Sequence, residues 1–122
     1  MITIFQLLEA TITPGQSNRF HTLHEKLGTK DMALVFILVC IHHGHNTKDA
    51  ISSLRQHKSN KHKLLQCERE DLITCTLGVS PHDKRARLKI YELTPKGTAM
   101  VEPWLKTLNA LLERTNQSRQ QP

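Results

Sequence analysis

No stretch of this 122-residue chain is apolar for long enough to cross a bilayer as a helix. The longest such run, Met32 to Ile41, is about ten residues against the roughly 18 that a spanning helix needs, and it reads as a buried helix. The opening "MITIFQLLEA" lacks a basic n-region and carries Glu9, which makes it a poor signal peptide. Cysteines are few and odd in number (Cys40, Cys67 and Cys75) and show no C-x-x-C spacing. That usage points to a reducing cytoplasm and away from a disulfide framework. Also missing are a P-loop, a nucleophile beside its base, and paired carboxylates in a plausible cleft. The lone Asp and Glu residues are accounted for by caps and surface pairs, so no enzymatic activity and no cofactor are expected. There is no internal repeat or interdomain linker, and only the tail "NQSRQQP" reads as frayed. One domain, 1–122, follows, large enough for a modest core and small enough that dimerisation would help it.

What the chain has is positive charge. Lys and Arg number 17 against 11 Asp and Glu, for a net charge of +6 and a pI near 9.5. Such a balance favours a polyanionic partner, either nucleic acid or an anionic membrane surface.

Hydrophobic spacing predicts a mainly α chain with one small β-hairpin. Ile4, Phe5, Leu8 and Ile12 recur at helical intervals over residues 2 to 12, and Pro14-Gly15 breaks that segment. A second helix carries Phe20, Leu23 and Leu27. "GTKDMALVFILVCIHHG" is a capped, almost wholly apolar helix stopped by Gly44, the expected centre of the core. "NTKDAISSLRQ" starts at Asn46 or Thr47 as N-cap, and "SNKHKLLQCERED" follows after a very short turn. Alternation in "LITCTLG" and "RLKIYEL" predicts two strands around the turn "GVSPHD". Leu88 and Ile90 keep one phase and Tyr91 and Leu93 the other, so a bulge or an early strand end is expected there. Thr94-Pro95 opens a last helix, which Pro103 should kink or restart. Two short helices followed by a hairpin is the layout of a winged helix-turn-helix.

The cations fall on two of these elements. "RQHKSNKHK" holds Arg55, Lys58, Lys61 and Lys63, and the hairpin holds Lys84, Arg85, Arg87 and Lys89. These 15 positions contain eight of the 17 Lys and Arg and no carboxylate. A charge run is often only a solvated face, yet these two occupy the second helix and the wing, the parts such a fold presents to a duplex. A helix fits the major groove, where its N-terminal residues reach base edges. The expected DNA contacts are therefore Lys58, Ser59, Asn60, Lys61, His62 and Lys63, with Lys84, Arg85 and Arg87 at the minor groove or the backbone. Asp83 is expected to orient the wing arginines.

Residues 47 to 97 resemble the multiple-antibiotic-resistance regulator (MarR) family of winged-helix repressors. Family wings read Asp-x-Arg with a downstream Leu-Thr-x-x-Gly, and Asp83, Arg85, Leu93, Thr94 and Gly97 match in order. "KLLQCEREDLI" is similar to the ending of the family's recognition helix, with Asp71 where Gly is usual. Asn60 or Lys61 falls where an apolar residue normally anchors that helix. Length and helical termini are also similar to the short SarA branch. The resemblance implies a homodimer whose terminal helices (1–28 and 95–116) intertwine around a 29–94 winged helix-turn-helix core. Ile4, Phe5, Leu8, Trp104, Leu108, Leu111 and Leu112 are then the expected dimer interface. It also implies a pseudo-palindromic double-stranded DNA operator, a small-molecule effector as a further partner, and a bacterial, cytoplasmic, nucleoid-associated transcriptional regulator.

Two alternatives stay open. One is a winged-helix protein–protein module for an acidic partner; the other is a metal- or redox-responsive variant of the regulator. "CIHHGH" gathers the zinc-ligand types Cys40, His42, His43 and His45. Against that, Cys40 fits the core, the histidines suit a helix C-terminus, and no second dense ligand pair stands at finger-like spacing, so no metal is expected. Cys67 and Cys75 read as packing residues, since a redox-sensing thiol wants an exposed, electropositive setting.

Overall fold

The computed structural model describes residues 2–12, 23–29, 31–55, 59–79 and 87–120. In chain order they form α1 (Ile4–Ile12), α2 (Leu23–Leu27), α3 (Met32–His42), α4 (Lys48–Leu54), α5 (Asn60–Arg69), β1 (Ile73–Val79), β2 (Arg87–Leu93) and α6 (Pro95–Gln120). This is the mainly α architecture with a two-stranded hairpin that the hydrophobic pattern predicts.

α3 is the hub. Leu34 to Ile41 are all buried, and α1, α5, α6 and β2 pack around it. Its start is set by Asp31, whose carboxylate accepts the Leu34 N–H at 3.1 Å. Its end is a Schellman turn. The His45 N–H returns to the Cys40 carbonyl at 2.9 Å and the Gly44 N–H to Ile41 at 3.1 Å, with Gly44 at φ +89°. Only that left-handed residue lets both orphan carbonyls be satisfied. α1 begins at Ile4 because Thr3 and Gln6 cap each other. The Gln6 N–H donates to Thr3 Oγ1 at 3.2 Å and the Thr3 N–H to Gln6 Oε1 at 2.8 Å. This capping box is written in the sequence as Thr-x-x-Gln, a signal that hydrophobic periodicity alone does not carry. The start of α4 resolves to Thr47, whose hydroxyl accepts the Ala50 N–H at 3.1 Å.

The hairpin is regular. Its antiparallel register runs without interruption from Ile73 opposite Leu93 to Val79 opposite Arg87, so the expected bulge at Ile90–Tyr91 is absent. The change of apolar phase has another cause. Near the base, Ile73 and Tyr91 share the face that meets the core and are buried. Toward the tip that face leaves the core, and the half-buried Leu88 and Ile90 lie on the opposite one. The Tyr91 N–H also donates to the Asn46 carbonyl at 2.9 Å, tying the outer edge of β2 to the loop before α4.

α6 runs 26 residues without a break through Pro103, so the expected restart does not occur. Proline removes one backbone hydrogen bond, but Val101, Trp104 and Leu108 on either side are buried in the core and hold both halves of the helix to it. Four expected interface residues are also relocated. Ile4, Leu8, Trp104 and Leu108 lie between 0 and 8 % exposed within the single chain, so they pack its own core. Trp104 also donates its indole N–H to the Leu27 carbonyl at 3.0 Å, bolting α2 to α6. Phe5, Leu111 and Leu112 remain half-buried at the core's edge.

Candidate nucleic-acid interface

α5 ends as α3 does, with one change of residue. The Leu72 N–H returns to Cys67 O at 2.9 Å and the Asp71 N–H to Glu68 O at 3.1 Å, and Asp71 takes the left-handed position at φ +59°. Asp is among the few side chains that tolerate this conformation, so Asp71 fills the place where the resembled family usually has Gly. The turn delivers the chain directly into β1 and sets the hairpin beside α5.

Packing fixes the rotation of α5 about its axis. Leu64 and Cys67 are 2 % and 0 % exposed and face the core. Asn60, one turn earlier, is only 2 % exposed and points the same way. Its amide donates to the Arg55 carbonyl at 2.8 Å and its oxygen accepts from the Arg55 guanidinium at 3.4 Å. Arg55 is itself buried and stacks over the Phe36 ring, 5.9 Å from its centroid. The expectation of Asn60 as a base contact is therefore corrected: it is the polar anchor of the helix. Lys63 has a partner within the chain. Its ammonium pairs with the Asp31 carboxylate at the start of α3 and reaches Gln66 Oε1 at 3.3 Å.

The outward face that remains is narrow. Lys61, His62, Leu65 and Arg69 are exposed, at spacings that place them on one stripe of a helix. Ser59 sits at the N-cap position of this helix. Lys58, Lys84 and Arg85, and Asp83 with them, lie outside the described residues. Across from α5, Arg87 and Lys89 stand exposed on β2. Between the two elements is a cleft of about 390 Å³, walled by Lys61, Leu64 and Leu65 on α5 and by Arg87, Lys89 and Tyr91 on β2, with Lys48 and Asp49 at its end. Four cations and one carboxylate border it. Such a seat attracts a polyanion, and the exposed cations sit where salt would screen them. Neither Leu65 nor Lys48 was singled out by sequence: leucine pairs and N-terminal lysines on a helix carry no signal until the helix is rotated into place.

The histidine-rich turn does other work. His43 and His45 set their rings edge-to-face against Phe5, with centroids 5.5 and 5.2 Å away. His43 Nδ1 lies 3.0 Å from the Val39 carbonyl, and His42 packs on His43. Cys40 is fully buried away from them. Among the described residues no three His, Cys, Asp or Glu side chains converge as ligands. Burial pushes the Cys40 and Cys67 thiols up to about 12, the opposite of the shift that a reactive thiolate requires.

No helix among the described residues is long and apolar enough to cross a membrane. No family model and no curated protein matches the sequence. Solved structures do match. A point mutant of MepR from Staphylococcus aureus bound to an oligodeoxyribonucleotide superposes with a TM-score of 0.55 at 21 % identity, over 99 % of this chain and 86 % of that one. YusO from Bacillus subtilis gives 0.54 at 19 % identity, over 90 % and 82 %. S. aureus MarR in complex with salicylate and kanamycin gives 0.53 at 21 % identity, over 96 % and 78 %. Mostly helical with a two-stranded antiparallel hairpin, the chain has the winged-helix fold of MarR-family regulators.

Proposed function

We propose that this protein is a sequence-specific, double-stranded DNA-binding transcriptional regulator that acts as a homodimer and has no catalytic role. The observation that carries this reading is the shared cleft. Lys61 on the exposed stripe of α5 and Arg87 and Lys89 on the wing converge on one cationic seat, the shape that lets a helix enter the major groove while the wing follows the adjacent backbone. The MepR mutant bound to an oligodeoxyribonucleotide supports it as a structural neighbour. Lys61 and His62 face the bases, and Lys48, Arg87 and Lys89 face phosphates. Lys58, Lys84 and Arg85 are assigned to phosphate or minor groove from the sequence alone.

In the dimer, α1 and α6 meet a second copy through Phe5, Leu111 and Leu112, which are half-buried in one chain. Two half-sites then lie about 34–36 Å apart, one helical turn of DNA. A small-molecule effector fits the same reading, since S. aureus MarR is found with salicylate and kanamycin. The working place is the bacterial nucleoid.

The test is a duplex selected from a random pool and titrated by fluorescence anisotropy at several salt concentrations. Lys61→Ala with Arg87→Ala should weaken binding by on the order of 10- to 100-fold. It should also lower the slope of log K against log salt by roughly 1, about 0.9 for the phosphate that Arg87 no longer neutralises. Unchanged affinity and slope would remove α5 and the wing from the interface. One observation favours a second reading, a protein-binding module. Leu77 and Val79 on β1 are 63 % and 56 % exposed, and selection that enriches no duplex at moderate salt would point to that surface.

A further inference from the structure

We propose that Leu65 is a specificity residue that reads the C5-methyl group of a thymine in the major groove. The inference rests on the DNA-binding reading above and names a feature of the site bound. Leu65 is 38 % exposed, while its neighbour Leu64 is 2 % exposed and satisfies the core. Leu65 lies about 100° further round α5 and, although most of its side chain is covered, shows an apolar surface to solvent. Its surroundings make it conspicuous. Lys61, His62 and Arg69 share its stripe, and Arg87 and Lys89 face it across the cleft. A stripe that only needed to attract phosphates would be polar throughout.

The chemistry of base edges supplies a partner. In the major groove the one apolar feature among the donors and acceptors is the thymine methyl; the minor groove offers none. Leu65 follows Lys61 by one helical turn, about 6 Å along the axis, or roughly two base-pair steps of 3.4 Å. A helix that enters the groove by its N-terminal turn therefore carries Lys61 to a hydrogen-bonding base edge and Leu65 to a methyl nearby. The exposed Leu77 and Val79 on the wing are the internal contrast. A wing at the minor groove or backbone has no thymine methyl to meet.

Deoxyuridine tests this directly, because it removes the methyl and leaves base pairing intact. A duplex selected by the wild-type protein is remade with each thymine replaced in turn, and affinities are compared at constant salt. One thymine in each half-site should be sensitive, with about a fourfold loss per half-site, the worth of one buried methyl. Leu65→Ala should bind the thymine and deoxyuridine duplexes equally, with an unchanged circular dichroism spectrum. Leu77→Ser should keep the wild-type ratio. A tightly bound duplex with no sensitive thymine overturns the inference while leaving DNA binding intact. So does a ratio that survives Leu65→Ala or vanishes in Leu77→Ser. Failure of the wild-type protein to bind any duplex, even at low salt, instead defeats the reading on which it rests.

Discussion

Where the hairpin returns to α6, four residues are locked by contacts that their side chains alone would not suggest. The Thr94 hydroxyl accepts the Gly97 N–H at 3.0 Å, capping α6, and donates to the Asp71 carbonyl at 2.6 Å. The Thr94 N–H donates to the Leu72 carbonyl at 3.0 Å. Gly97 lies so close to that carbonyl that a Cβ would overlap its oxygen. The Leu-Thr-x-x-Gly pattern is thus a joint between the end of α5 and the start of α6, with glycine required by space and not by dihedral angle. Gly97→Ala should destabilise the protein by about 2–3 kcal/mol, on the order of 10 °C in Tm, as backbone on both sides must shift. A thermal melt checks it, and a change under about 2 °C would mean the joint is looser than this.

On the scale of the element, α5 shows how packing divides like charges into different jobs. Arg55 and Lys63 look equivalent to Lys61 along the chain, yet the first is buried against Phe36 and Asn60 and the second is paired with Asp31. Asn60→Ala should cost about 1–3 kcal/mol, because it removes two buried hydrogen bonds, to the carbonyl and to the guanidinium of Arg55. Lys61→Ala, on the exposed stripe, should stay within about 0.5 kcal/mol of wild type. Urea unfolding of the two variants separates them. Equal stabilities would show that Asn60 is not the anchor.

For the molecule as a whole, the buried thiols make alkaline pH the weak side. Burial first, and then the nearby Glu70, raise the Cys67 thiol to about 12; burial alone does so for Cys40. Burial likewise raises the Tyr91 hydroxyl. These groups stay protonated in the native state at a pH where the unfolded chain has released the thiol protons. Native protein therefore binds more protons between about pH 9 and 12, and its stability falls as pH rises through that window. Each thiol contributes roughly 1.4 kcal/mol per pH unit there and nothing below it. The urea midpoint should be flat from about pH 7 to 8 and drop steeply by about pH 10, and Cys67→Ala should make the drop shallower. A midpoint indifferent to pH throughout that range would contradict burial of both thiols.

Much of this architecture is legible along the chain, because helix length, strand alternation and the punctuation at Gly44, Thr47 and Thr94-Pro95 are local properties. The net positive charge and its concentration before and within the hairpin are equally local. The rotation of α5 is not. Leu64 and Cys67 set it by packing on the core, and that one angle turns Asn60 inward and Lys61, His62 and Leu65 outward. The register of β1 on β2 and the fit of Gly97 against Leu72 likewise join residues well separated in sequence. Composition shows that the protein carries an excess of cations; long-range packing selects which of them face a partner.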